Sequence, residues 1–229
     1  MDEAEWLASG NPRRLYGHAR KVATPRLNSG RRLLRLYACA CCRQVWHLLG
    51  AEGRAAVEVA ERYADGRASK ADLRQAEGAA WQAYLKCADA VQLATTQAKL
   101  AACYAAGPSI TRGGKLSAER AGLAFAYSVE VMLGANATRR PLQCDLLHDL
   151  FGNPFRPVSA DPAWLRWNDG TVRKMAQALY EERAFERLPL LADALEDAGC
   201  TDPDILAHLR GAGPHVPGCW VLDLLTGRA

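Results

Sequence analysis

SKADLRQAEGAAWQAYLKCADAVQLATTQAKLAACYAA, residues 69–106, contains no proline and a single glycine, Gly78. Ser69 followed three residues later by Asp72 is a helix-start signature in which side chain and backbone cap each other. Tyr84, Cys87, Val91, Ala94, Ala98, Ala101 and Ala105 then recur at steps of three and four. That period belongs to a helix with one buried seam, and small side chains along the seam let a neighbour approach closely. The spacing predicts one helix from 69 to 106, paired through a turn at 107–116 with a second helix over 117–135 carrying Ala121, Phe125, Ser128 and Met132.

Working outward, the same punctuation recurs. Asp2 with Glu5 opens a short helix, Asn11-Pro12 opens a second, and Ser29 is the expected cap of a third that runs to Gly50 with Leu34, Cys41, Val45 and Leu48 inward. A fourth helix is expected from Glu52 to Asp65, stopped by Gly66. Beyond Pro141 the chain changes from Ala-rich to rich in Leu, Asp, Pro and Trp. Helices are expected there over 142–151, 171–183, 188–198, 203–210 and 218–225, with 153–169 a loop holding at most one turn. The expected fold class is therefore all-α: an irregular multi-helix bundle with a long Ala-rich hairpin and a C-terminal cluster of short helices. Its two parts are expected at 1–138 and 139–229.

Charge separates these parts. Residues 1–140 hold 21 Lys or Arg against 12 Asp or Glu, and the remainder holds 8 against 13. No acidic side chain occurs between Trp6 and Ala51. A nucleic-acid surface over segment 12–43 is one reading, with Arg13, Arg14, Arg31, Arg32 and Arg35 facing phosphates. Pairing with the acidic half, in the same chain or a second copy, is the other, and it makes a protein the expected partner. Arg156, held between Phe155 and Pro157 in a rigid tract, joins this group as a clamp or interface residue.

No apolar run reaches the roughly 20 residues a bilayer demands, because Gly134 and Asp193 interrupt the best stretches. No membrane partner is expected. The opening residues carry acids rather than the basic start of a secretory signal, so a cytoplasmic location with eight reduced cysteines follows.

LLHDLFGNPFRPV (146–158), YEERAFERLPLLADALEDAGC (180–200), HVPGCWVLDLLTG (215–227) and RLLRLYACACCRQVWHLL (32–49) resemble stretches of an uncharacterised, paralogue-rich family of bacterial helical proteins. The resemblance implies helices and transfers no activity.

Two sets of residues could carry chemistry. Cys39 and Cys42 form a C-x-x-C with Cys41 between them and His47 nearby, but they fall mid-helix, where buried thiols ordinarily serve as small apolar side chains. Cys200, His208, His215 and Cys219 offer two thiols and two imidazoles within twenty residues, a donor set that suits tetrahedral zinc. No G-x-S-x-G and no phosphate-binding glycine pattern is present. The preferred reading is a non-catalytic interaction or adaptor module. A nucleic-acid-binding protein, and a zinc-binding or thiol-dependent enzyme built on the C-terminal Cys/His group, are the alternatives.

Overall fold

A computed structural model describes residues 1–23, 27–86, 93–107 and 142–228. Asp2, Asn11, Ser69, Asp161 and Asp202 each turn a side-chain oxygen onto the first free N–H groups of the helix that follows. Those groups have no partner inside the helix, so the cap fixes where each helix starts. The resulting elements are α1 (Glu3–Ala8), α2 (Pro12–Ala23), α3 (Leu27–Gln44), α4 (Ala51–Ala64), α5 (Lys70–Leu85), α6 (Leu93–Ala106), α7 (Leu142–Phe151), α8 (Pro162–Glu182), α9 (Leu188–Asp197), α10 (Pro203–Arg210) and α11 (Trp220–Thr226). Among the described residues there is no strand, so the chain is an all-α bundle of many helices.

Three expected boundaries change. The third helix already runs from Leu27, which places Ser29 inside it, and a single 3₁₀ turn at Trp46–Leu48 follows its end at Gln44. The Ala-rich stretch is two helices rather than one: α5 ends at Leu85, and α6 lies against it as two parts of one straight helix could not. In α8 the backbone leaves the helix at Trp167, and Asn168, Asp169 and Gly170 are left-handed (φ 45°, 55° and 76°) before helix resumes. The helix expected over 117–135, the turn before it from 108, and the boundary expected at 136–141 lie outside the described residues.

The chain divides into two compact units, one of residues 10–143 and one made of residues 1–9 with 144–229. In the first, α3 is the central element. Its residues 34–42 are buried without interruption, because α2, α4 and α6 all pack on it. Ala56 and Ala60 of α4 and Ala98, Ala101, Ala102 and Ala105 of α6 are fully buried, which is how helices with little side-chain bulk reach close contact. Cys39, Cys41 and Cys42 lie inside this core. Burial pushes the Cys39 and Cys41 thiols up, and Cys39 has the Val57 carbonyl 3.8 Å from its sulfur. His47 is exposed and does not join them.

Arg35, only 4% exposed, and Glu61 of α4 are charged members of this core. The Arg35 guanidinium donates to the carbonyls of Ala105 (2.7 Å) and Gly107 (3.0 Å) and lies 5.1 Å over the Tyr63 ring. It thus serves the unsatisfied carbonyls at the end of α6, where a cation also meets the negative end of the helix dipole.

In the second unit, Val172, Leu179 and Tyr180 of α8, Leu188, Leu191 and Leu195 of α9, Ile205 and Leu209 of α10, and Val221, Leu222 and Leu225 of α11 form one cluster. At the end of α9, Gly199 is left-handed (φ 90°), and the Cys200 and Gly199 N–H groups reach back to Leu195 and Glu196. This closure turns the chain sharply into Asp202 and α10.

Replacing Arg35 by Met should cost about 3 kcal/mol, because two buried carbonyls lose their donor. Urea unfolding of the variant measures it, and a loss under about 0.5 kcal/mol would contradict this role.

Candidate metal centre

α7 has the sequence LQCDLLHDLF, and its pattern buries Leu146, Leu147 and Leu150. Asp149 sits between these buried positions and is itself only 2% exposed. A carboxylate so placed must find matching charge and hydrogen bonds, or it would be neutral.

The partners come from the other end of the unit. His208 lies on α10 between the buried Ile205 and Leu209 sides of that helix, and Nε2 is 3.1 Å from Asp149 Oδ1. His215 comes from the connection GAGPHVPG (211–218), with Nδ1 3.0 Å from the same Oδ1. The Val216 N–H donates to Asp149 Oδ2 at 2.9 Å. Cys219, fully buried where α11 begins, has Sγ 3.2 Å from His208 Nε2. The four ligating atoms of Asp149, His208, His215 and Cys219 lie within 4.8 Å of one another.

Local backbone chemistry sets these positions. Gly213 has φ 85°, and a Cβ there would stand 2.8 Å from the His215 nitrogen, so only glycine lets the loop fold back. Gly211 O lies 3.2 Å from His215 Nε2 and accepts its N–H. Gly152 closes α7 at φ 57°, with the Trp220 ring so near that an added Cβ would meet it at 3.1 Å. Trp220 in turn stands 5.3 Å from the His208 ring.

The hydrogen-bond pattern has a chemical consequence. With Nε2–H given to Gly211 O, neutral His215 directs a lone pair from Nδ1 at an anionic oxygen 3.0 Å away. Two acceptors meet at that distance only around a proton or a cation. Burial would raise the Asp149 carboxyl, but hydrogen bonds and charge from His208 and His215 outweigh it and hold the carboxyl below its ordinary value. Burial would likewise lower His215, and the bond and charge of Asp149 outweigh that and hold it up. Cys219 moves well above its ordinary value, through burial first and the nearby Asp149 charge second. Without a metal its thiol therefore stays protonated, and a dication would take that proton's place.

The group fits a metal ion. Tetrahedral zinc with nitrogen near 2.0 Å and sulfur near 2.3 Å sets its ligand atoms about 3.4 Å apart; three pairs here stand at 3.0, 3.1 and 3.2 Å and all four atoms lie within 4.8 Å of one another. Asp149 offers one oxygen while its second is held by a backbone amide, and His215 gives its remaining N–H to a carbonyl, as ligating histidines ordinarily do.

Of the four residues expected to converge, His208, His215 and Cys219 come together and Cys200 does not. Cys200 belongs to the apolar cluster around Leu191 and Leu195, where the turn after α9 places it. Its place in the donor set is taken by Asp149, which the sequence reading passed over. The signal was present: Asp149 lies three residues from Leu146 and next to Leu150, on the face that must be buried.

The arginines of the basic segment divide between enclosed or paired side chains and exposed ones. Arg35 is in the core. Arg32 pairs with Asp65 (3.0 Å) and Arg43 bidentately with Glu61 (3.0 and 2.7 Å), acids following and on α4 in the same unit rather than in the acidic C-terminal half. Arg13, Arg14 and Arg31 have exposed side chains. Arg156 is paired with Glu3 at 2.5 Å, inside the second unit. No described helix is long and apolar enough to cross a membrane.

No protein-family model, curated protein or solved structure matches the chain.

Asp149→Ala should lower the unfolding free energy by about 3 kcal/mol or more, whether a proton or a metal lies among its partners, since it strands two imidazoles and an amide. Denaturant titration measures this, and a change under about 1 kcal/mol would contradict the arrangement.

Proposed function

We propose that the second unit is a helical module braced by a closed zinc site, with Asp149, His208, His215 and Cys219 as its four ligands, and that the protein acts as a non-catalytic interaction or adaptor protein. The observation that carries this reading is the convergence of one carboxylate, two imidazoles and one thiol on a single point, from α7, α10, the 211–218 loop and the start of α11. Mixed nitrogen, sulfur and oxygen donors favour zinc, whereas calcium and magnesium take oxygen almost exclusively. Bound there, the ion would neutralise the carboxylate and thiolate and tie segments that are far apart in sequence.

Four protein ligands support a structural rather than a catalytic role, because catalytic zinc ordinarily keeps one position for water or substrate. Thiol chemistry has weak support as well. Burial pushes Cys39 well up and Cys103 to about 12, and it raises Cys200, so these sulfurs remain thiols at neutral pH. The partner of such a module is expected to be a protein, another chain or a second copy. Nucleic acid is the weaker reading, since Arg35 is enclosed and Arg32 is paired.

Protein purified without chelators should carry about one equivalent of zinc, and removing it should lower the melting temperature. Cys200→Ser should retain the metal, while Cys219→Ala and His208→Ala should lose it. Metal analysis of the three variants decides the matter. Less than about a tenth of an equivalent in the unmodified protein, or loss of metal with Cys200→Ser, would overturn the assignment.

A further inference from the structure

The first helix ends its packing against the residues that flank a metal ligand. Trp6 of α1 is completely buried, and its indole Nε1–H donates to Gly152 O at 3.0 Å. The Trp6 carbonyl lies 3.1 Å from His148 Nε2, and the two rings are 5.1 Å apart. Glu3 accepts from the Asn153 side chain at 2.7 Å and pairs with Arg156. His148 directly precedes Asp149, and Gly152 closes the turn that follows it. Gly152 also touches Trp220, which follows the ligand Cys219 and faces the ligand His208. Contacts and chain neighbours thus lead from α1, through His148 to Asp149 and through Gly152 and Trp220 to His208 and Cys219.

We infer that α1 is a metal-coupled clasp: its docking through Trp6 positions Asp149 and the Gly152–Trp220 contact for metal binding, and bound metal in turn holds α1 in place. This rests on the zinc reading above. The physical reason is that ligand geometry is set by what surrounds the ligands, and partners one shell out from a metal commonly change affinity 10–100-fold when removed. α1 has only six residues, too few to stay helical alone, so its order derives from this docking. Any coupling between two binding events is reciprocal, so the effect must be visible from both ends.

The test uses the full chain. Zinc affinity, read by competition with a chromogenic chelator, should fall about 10–100-fold in Trp6→Ala. In Trp6→Phe, which keeps a ring and loses the N–H bond to Gly152, it should fall about threefold. Val172→Ala, a truncation on α8, which supplies no ligand and none of the contacts just named, should lower stability and leave zinc affinity unchanged. From the other end, chelation should speed amide exchange at residues 3–8 at least about tenfold, with little change at 188–195. Should Trp6→Ala not fold, Trp6→Phe and the exchange experiment carry the test. Unchanged zinc affinity in the Trp6 variants, with exchange at 3–8 indifferent to metal, would overturn the clasp and leave the zinc site standing. An unmodified protein that binds no zinc would overturn both.

Discussion

A carboxylate enclosed among leucines governs the organisation of the second unit. Asp149 cannot lie on the packed face of α7 as an isolated anion, because moving a bare charge out of water costs more than any single contact returns. The sequence meets that constraint with groups drawn from far along the chain: two imidazoles, an amide and a thiol from residues 208–219. Much of what surrounds them follows from bringing those groups to one place. Gly213 permits the loop to double back, the Gly211 carbonyl orients His215, and Gly152 ends α7 where Trp220 needs room. A metal held there would give this cluster of short helices a cross-link that does not depend on surface area.

The first unit answers a similar constraint by different means. One of its core charges, Arg35, is cationic and donates to backbone carbonyls at the end of α6. Nearby, Arg32 and Arg43 take Asp65 and Glu61 as partners, so part of the basic character of residues 12–43 is used in holding α3 to α4. Local pairing of this kind needs no external ligand. Arginines paired or enclosed in this way do not count towards a surface for a polyanion, whereas Arg13, Arg14 and Arg31 remain exposed.

Several helix starts and stops were legible in the sequence: Asp2, Asn11 and Ser69 cap where their chemistry dictates and Gly66 is left-handed after α4, whereas Asp161 caps a helix that starts inside the stretch expected as a loop. Ser29 misled because a cap-type residue also occurs inside helices, and tertiary packing extends α3 past it. The break between α5 and α6 was invisible, since alanine-rich sequence suits helix on both sides and carries no stop. The site was half legible. His208, His215 and Cys219 stood out as ligand types close in sequence, whereas Asp149 is remote and resembles any polar residue of an amphipathic helix until its neighbours are seen to be buried. Cys200 shows the converse: proximity in sequence and the right donor atom do not bring a side chain to the site when a helix stop turns it into the core.

X-ray absorption at the zinc edge reads the donor set directly. One sulfur near 2.3 Å with three nitrogen or oxygen ligands near 2.0–2.1 Å is the shell that Asp149, His208, His215 and Cys219 would supply. Two sulfurs, which would bring Cys200 into the site, or a six-coordinate shell of oxygen alone would contradict the account.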